Sequence, residues 1–114
     1  IQSMDYSIAR AAWIGDYPDP NTFLDMFISG GGNNQTGWSS PEYDRLIALA
    51  ASQTNQQQRY RTFQQAEAIL MDESPIIPIY TYTRVLLKHP QLQGWYPNIL
   101  DQHPYKHVYL QEPK

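Results

Sequence analysis

A short apolar segment that turns through two prolines into a helix constrains this chain more than any other stretch. It occupies residues 9–27 and reads ARAAWIGDYPDPNTFLDMF. An aromatic residue, a glycine and an acid, namely Trp13, Gly15 and Asp16, stand where the apolar part ends. Binding residues concentrate on loops that a rigid scaffold positions, so an acid beside a large aromatic residue suits contact with a cation. The pattern therefore predicts a strand end, a binding loop and a helix, in that order.

Capping residues, prolines and glycines predict where the helices begin and end. Asp19 before Pro20 predicts a first helix, because an acid can cap the helix and proline suits its first position. Ser40 before Pro41 predicts a second helix for the same reason. Glycines and asparagines at 30–34 accept left-handed backbone and should end the first helix.

Apolar residues at helical spacing predict the buried face of each helix. On the first helix they are Phe23, Leu24, Phe27 and Ile28. On the second they are Tyr43, Leu46, Ile47 and Ala50. A third helix, capped by Thr54 or Asn55 and stopped by Pro75, should carry Tyr60, Phe63, Glu67 and Leu70 along one side.

Three segments read as strands. Residues 5–14 alternate imperfectly, which suits a strand buried on both faces. Residues 76–87 contain Ile77, Ile79, Val85 and Leu87, and Pro78 indicates an edge or a bend. A late strand is expected at 106–110 in a proline-rich tail. The order predicts an α/β or α+β fold with few strands and three helices. Because so few strands make a poor sheet, the missing ones are expected in sequence that this chain lacks.

Composition excludes several classes of protein. The 114 residues suit one domain, and their net charge of -3 comes without any cluster of lysine or arginine, so no nucleic-acid footprint is visible. Cysteine is absent, which excludes disulfides and thiolate metal sites. The apolar runs are far shorter than the roughly 20 residues that span a bilayer. No signal-peptide pattern is present, but the chain begins abruptly at Ile1 and reads like a piece of a longer protein.

Acids and aromatics around the first helix are the candidates for chemistry, and their roles stay open. Glycosidases use two carboxylates across a bond, but Asp19 is better explained as a helix cap than as the partner of Asp16. Asp16 is either a turn residue that bonds its own backbone or a ligand-facing acid. Trp13 either packs in the core or lines a pocket. Arg10 in an apolar strand needs a carboxylate, which either the protein or a ligand could supply.

Two further motifs do not support a cofactor or metal site. The glycines at 30–32 are followed by Asn-Asn-Gln at a helix end, whereas a phosphate loop needs a lysine and a hydroxyl at a helix start. His103 and His107 are four residues apart, but Pro104 lies between them and no further His or Cys accompanies them. No nucleophile and base can be assembled. We therefore predict a non-enzymatic protein without a cofactor or a metal.

Three blocks in the chain together carry a family resemblance. They are ARAAWIGDYPDP at 9–20, GWSSPEYD at 37–44, and AEAIL at 66–70 followed by PIIPIY at 75–80. In this order they resemble the carboxyl-terminal part of the family 5 extracytoplasmic solute-binding proteins, the oligopeptide- and dipeptide-binding components of ABC importers. The resemblance implies a piece of a two-lobed, periplasmic-binding-protein type II fold. Residues 1–114 would include a hinge crossing near 14–18, and the amino-terminal lobe would be absent.

The same resemblance implies a ligand, a location and site residues. In its oligopeptide-binding branch, Asp16 pairs with the α-ammonium of the peptide and Arg10 can meet the terminal carboxylate. The strand around Trp13 and Ile14 hydrogen-bonds the peptide backbone, as one strand adds to another. Pocket-lining positions align with Asn33, Asn34 and Tyr82. A periplasmic or cell-surface location and the permease subunits of an importer follow as expectations.

Alternatives remain within the same fold. The family also binds nickel chelates, haem, sugars and murein peptides, and a regulator could use this fold as a ligand-sensing domain. An enzyme is the least favoured reading. Since the strands at 5–14 and 76–87 should leave unpaired edges, the isolated 114 residues are expected to self-associate and to bind peptide negligibly.

Overall fold

A computed structural model describes residues 5–98 and 100–112, which divide into two units with a boundary between Pro78 and Ile79. The first unit contains the helices α1 (Asn21–Leu24), α2 (Pro41–Ser52) and α3 (Gln56–Glu73). The second contains the strands β1 (Leu92–Gln93) and β2 (Tyr109–Leu110). The prediction of a mixed fold with three helices and few strands is confirmed.

Helix α2 begins as its sequence predicts. Ser40 is the N-cap, its Oγ accepts a hydrogen bond from the backbone N–H of Tyr43 at 3.4 Å, and Pro41 is the first helical residue. The predicted face is confirmed, because the buried residues of the helix are Tyr43, Leu46, Ile47 and Ala50. Local capping and apolar spacing therefore suffice to specify this helix.

Helix α3 is capped by Asn55, the second of the two candidates. Its Oδ1 accepts the N–H of Gln58 at 3.0 Å. The helix ends at Glu73, and Ser74 adopts a left-handed conformation with φ of 51° before Pro75. The predicted face is only half right. Phe63 and Leu70 are buried, but the other buried positions are Thr62 and Ala66, while Tyr60 and Glu67 are exposed.

The core of the first unit lies between α2 and α3. Tyr43 is fully buried at its centre, with its ring edge-on to Trp38 at 5.1 Å and its hydroxyl donating to the carbonyl of Leu24 at 2.5 Å. Burial raises the pKa of the Tyr43 hydroxyl well above its usual range. The indole Nε1 of Trp38 donates to Glu73 Oε2 at 2.7 Å. Hydrogen bonds thus tie the residues before α2 and the end of α3 to this core.

Helix α1 is shorter than expected. It covers one turn, and a 3₁₀ turn at Asp25–Phe27 follows it. Leu24, Phe27 and Ile28 do pack against the core, whereas Phe23 is 42% exposed. The amide of Asn34 explains the early end, since its Nδ2 donates to the carbonyls of Phe27 and Ile28 at 3.2 Å each. The Phe27 carbonyl is thus satisfied by a side chain. The Ile28 carbonyl is shared between that side chain and the N–H of Gly31 at 3.0 Å, so neither carbonyl continues an α-helix.

The strands predicted at 5–14 and 76–87 are wrong, because neither segment is a strand in the structure. A strand forms only when a neighbour completes its hydrogen-bond ladder, and among the described residues no such neighbour lies beside either segment. Side chains expected to be covered are accordingly exposed. Ile77 is 79% exposed and Leu87 is 97% exposed, and Ile79 and Val85 are exposed as well.

The second unit holds a two-stranded antiparallel ribbon in which Leu92 pairs with Leu110 and Gln93 with Tyr109. The late strand predicted at 106–110 is right for its last two residues, but Tyr105–His107 form a 3₁₀ turn after Pro104. Gly94 follows β1 with φ of 77°, and a Cβ there would lie 1.9 Å from the carbonyl oxygen of His107. Only glycine fits this close approach. Of the helices in the described ranges, none is long and apolar enough to cross a bilayer.

Candidate functional site

The loop that carries Asp16 folds back onto the first turn of α1. The backbone N–H of Asp16 donates to Thr22 Oγ1 at 2.9 Å, and Thr22 is 2% exposed. The side chain of Asp16 is exposed. We name residues 13–22 the aspartate loop. A buried hydroxyl therefore fixes the backbone of the acid and leaves its carboxylate open to solvent.

Gly15 allows this fold-back because it is buried against the same turn. A Cβ at Gly15 would lie 3.1 Å from Thr22 Cγ2 and 3.2 Å from Phe23 Cζ. These distances are shorter than the roughly 3.5–4.0 Å of a comfortable carbon contact. The residue before the acid is thus small because α1 approaches it closely.

Asp19 closes the loop through two kinds of contact. Its Oδ1 accepts the N–H of Asn21, the first residue of α1, at 2.9 Å. The prediction of Asp19 as N-cap with Pro20 as the first helical residue is wrong by one position, because Pro20 is the N-cap. The carboxylate of Asp19 is also gripped at both oxygens by Arg59 of α3, with Nη2 to Oδ1 at 2.8 Å and Nη1 to Oδ2. Hydrogen bonding from Arg59 lowers the pKa of Asp19, against the opposing effect of burial. An acid held ionised in this way is unsuited to donate a proton as a glycosidase acid would.

Arg59 is itself held in place by contacts with α2 and with a ring of α3. Its Nε donates to the carbonyl of Ala50 near the end of α2 at 3.1 Å, and its guanidinium carbon lies 4.7 Å from the centroid of the Phe63 ring. The hydrogen bond to Asp19 raises the pKa of Arg59 further. The aspartate loop is thus joined through one side chain to both long helices.

Trp13 and Ile14 open the aspartate loop. Ile14 is 64% exposed. Trp13 is half-buried, and its indole Nε1 is enclosed without a hydrogen-bond partner among the described residues. An enclosed donor without an acceptor is costly by about 1–3 kcal/mol, so this nitrogen is suited to a hydrogen bond from outside the described part of the chain. Core and pocket roles for Trp13 both remain compatible with this placement.

The other predicted site residues lie elsewhere. Arg10 and Asn33 are exposed. Asn34 is half-buried and its amide is occupied by its own loop, with Nδ2 donating to the carbonyl of Trp38 at 2.9 Å and Oδ1 accepting from Thr36. Ligand contacts by Asn33 and Asn34 stay predictions.

Tyr82 belongs to the second unit. It is 56% exposed and its ring lies edge-on to that of Tyr80, with 4.7 Å between centroids. Its contact with a ligand also stays a prediction. The ring of His103 lies 4.3 Å from that of Trp95, between centroids, and its Nε2 lies 3.0 Å from Asp101 Oδ1.

Thr22 and Arg59 are the site residues that sequence reasoning missed. Arg59 gave a signal that could have been used, because a cation near the start of α3 opposes the helix dipole and therefore calls for an acidic partner. Which acid it would choose was not visible, since Asp19 lies 40 residues away. Thr22 gave no such signal.

No protein-family model matches the chain. The oligopeptide-binding protein OppA of Bacillus subtilis (strain 168) is 40% identical over 95 residues, which are 82% of this chain and 17% of that protein. A probable deoxycholate-binding periplasmic protein of Escherichia coli (strain K12), YgiS, is 32% identical over 91 residues, covering 80% of the chain and 17% of the relative.

Solved structures agree with this relationship. The substrate-binding domain of an oligopeptide ABC transporter from Bacillus anthracis superposes with a TM-score of 0.76 at 31% identity, over 88% of this chain and 20% of that one. The chain therefore spans about a fifth of the length of the proteins it matches. Over the matched residues, it belongs to the family 5 extracytoplasmic solute-binding proteins.

Proposed function

We propose that this chain is part of a non-enzymatic binding protein that holds oligopeptides outside the cytoplasmic membrane and delivers them to the permease subunits of an ABC importer. The observation that carries the proposal is the conformation of the aspartate loop. Its backbone is fixed by Thr22, and its acid, Asp16, projects an exposed carboxylate. The match to the oligopeptide-binding protein of B. subtilis supports the same ligand class.

The chemistry of a peptide suits this loop. The α-ammonium of a peptide is a cation that an exposed carboxylate can pair with, and the pair strengthens as a closing pocket excludes water. Next to the acid, Trp13 and Ile14 make no backbone–backbone hydrogen bond within the described residues, which suits pairing with an added strand. Backbone pairing ignores side chains while a fixed acid marks the amino terminus. Sequence tolerance and end recognition can therefore coexist.

Lobe closure belongs to this proposal. The aspartate loop includes residues 14–18, where a hinge crossing between two lobes is expected from the family resemblance. The second lobe and most of the pocket would lie in sequence outside these 114 residues, consistent with a match to 17% of the relative. Arg10, Asn33, Asn34 and Tyr82 complete the proposed set of ligand contacts.

The decisive experiment is Asp16→Asn in the protein expressed from its complete reading frame. Loss of one partner of a desolvated charge pair costs about 2–5 kcal/mol. Tripeptide affinity should therefore fall by about 30-fold or more in titration calorimetry. Asp72→Asn is the matched control, because Asp72 is an exposed acid on α3, outside the aspartate loop. An unchanged dissociation constant for Asp16→Asn would refute the proposed role of the acid.

A solute without an amine is the second candidate, and the match to a probable deoxycholate-binding protein favours it. Deoxycholate carries a carboxylate and no ammonium, so Asp16 would repel it. Titration of the same protein with deoxycholate and with a tripeptide separates the two candidates. Binding of deoxycholate without binding of the tripeptide, strengthened by Asp16→Asn because the repelling charge is removed, would favour the second.

A further inference from the structure

The ion pair between Arg59 and Asp19 affects more than the start of α1. Asp19 lies three residues after Asp16, and Pro18 stands between them with its backbone angle φ fixed by its ring. The N–H of Asp19 donates to the carbonyl of Tyr17 at 2.9 Å, and the N–H of Thr22 donates to the carbonyl of Asp19 at 3.2 Å. The backbone from Asp16 to Thr22 is therefore a closed, stiff turn.

Two side chains hold this turn in place. Thr22 Oγ1 accepts the N–H of Asp16, and Arg59 of α3 binds the carboxylate of Asp19. Because the planar guanidinium binds both carboxylate oxygens and also the carbonyl of Ala50, it fixes direction as well as distance. A displacement of Asp19 would be transmitted through Pro18 to the position of Asp16.

The same ion pair distinguishes Asp19 from Asp16, which stands three residues before it in the sequence. Asp19 is neutralised by Arg59, with 27% and 22% of their side chains exposed. Asp16, by contrast, forms no ion pair with any of the residues that the structure describes. The two acids of this turn therefore differ, since Asp19 is bound to Arg59 while Asp16 is open to a ligand cation.

We infer that Arg59 is a positioning residue for the ligand-facing carboxylate of Asp16, an inference that rests on the proposed function. Arg59 acts through Asp19 and does not itself touch the ligand. Through Asp19 it sets where the Asp16 carboxylate stands. By analogy with the outer partners of metal ligands, whose removal costs about 10–100-fold in metal affinity, we expect an effect at the lower end of that range.

The test compares a free-amine tripeptide with its N-acetylated form, using the protein from its complete reading frame. Arg59→Ala should weaken binding of the free-amine peptide by about tenfold and leave the acetylated peptide nearly unaffected. Arg59→Lys should lose less affinity than Arg59→Ala, because lysine keeps the positive charge but cannot bind both carboxylate oxygens as the planar guanidinium does. Arg45→Ala is the matched control, since Arg45 makes an exposed bidentate pair with Glu42 on α2.

A merely structural Arg59 would behave differently. Equal losses for both peptides, or no loss in a folded Arg59→Ala variant, would overturn the inference. Should Arg59→Ala fail to fold, Asp19→Asn and Arg59→Lys carry the same comparison, because Asp19→Asn keeps an oxygen acceptor for the N–H of Asn21.

The Asp16→Asn background separates this inference from the proposed function. If both hold, Arg59→Lys should lower free-amine affinity in the native protein but not in the Asp16→Asn protein. If Asp16→Asn lowers affinity and the Arg59 variants do not, only the inference fails. If Asp16→Asn is silent, the proposed function fails and the inference fails with it.

Discussion

The close approach of α1 to Gly15 gives a stability prediction with a built-in control. In Gly15→Ala the new methyl would lie 3.1 Å from Thr22 Cγ2 and 3.2 Å from Phe23 Cζ. Phe23 is 42% exposed, so its ring can move away. Thr22 is 2% exposed and accepts the N–H of Asp16, so it cannot move without breaking that bond. Strain should therefore concentrate on the bond that fixes the acid.

The size of the effect follows from two opposing contributions. Overpacking a buried site costs about 1–3 kcal/mol. Replacing glycine by alanine restricts the unfolded chain and returns about 0.4–1 kcal/mol. The net expectation is a loss of about 1 kcal/mol, which is about a fivefold rise in the opening equilibrium of the loop. Gly32→Ala has only the second contribution, because nothing lies within 4 Å of a Cβ at Gly32 and its φ is not positive.

Hydrogen exchange at the Asp16 amide is the direct assay, because that N–H donates to Thr22 Oγ1. Exchange should accelerate about fivefold in Gly15→Ala and stay unchanged or slow in Gly32→Ala. Urea unfolding should rank the two variants in the same order. The reasoning is refuted if Gly15→Ala exchanges at the native rate, or if Gly32→Ala is destabilised as much as Gly15→Ala.

Two further predictions concern Arg10 and the isolated chain. If Arg10 contacts the ligand carboxylate, Arg10→Ala should weaken the binding of short peptides of one length and leave the binding of their C-terminally amidated forms unchanged. Equal losses of affinity for the free-acid and amidated peptides would exclude that role. The 114 residues alone should bind peptide negligibly, since they span 17% of the oligopeptide-binding relative, and should self-associate through exposed apolar side chains such as Ile8 (87% exposed) and Leu87 (97% exposed). Micromolar peptide binding would contradict the first of the two expectations for the isolated chain, and a monomer in light scattering at high concentration would contradict the second.

Features that depend on neighbours in sequence could be predicted from the chain. The caps Ser40 and Asn55, the stop before Pro75 and the buried face of α2 each involve residues within a few positions of one another. Their hydrogen bonds and spacing are local, so the sequence reports them directly. The hydrogen bond from the Asn21 N–H to Asp19 is local as well, but it lies one position before the helix that the sequence predicted, because α1 begins at Asn21.

Features that depend on distant residues could not be predicted in the same way. The segments 5–14 and 76–87 have strand-like composition, but a strand also needs a partner that no local pattern supplies. The pairing of Asp19 with Arg59 joins residues 40 positions apart. Of the candidate site, the sequence pointed to Asp16 as an acid in a loop, while the groups that hold its backbone emerged only with the folded chain.

The amide of Asn34 has a consequence for the entropy of the glycine-rich segment around it. Gly30, Gly31 and Gly32 leave this loop many conformations before folding, and ordering a residue costs about 1–2 kcal/mol. Asn34 contacts five hydrogen-bonding groups within 3.2 Å: three carbonyls share the two hydrogens of Nδ2, and Oδ1 accepts two hydrogen bonds. A full hydrogen bond has a net value of about 1 kcal/mol. One side chain thus stabilises a single conformation of a glycine-rich segment that has many accessible conformations when unfolded. Any molecule that later contacts this loop meets it already ordered, and its affinity is not reduced by the entropy of ordering it.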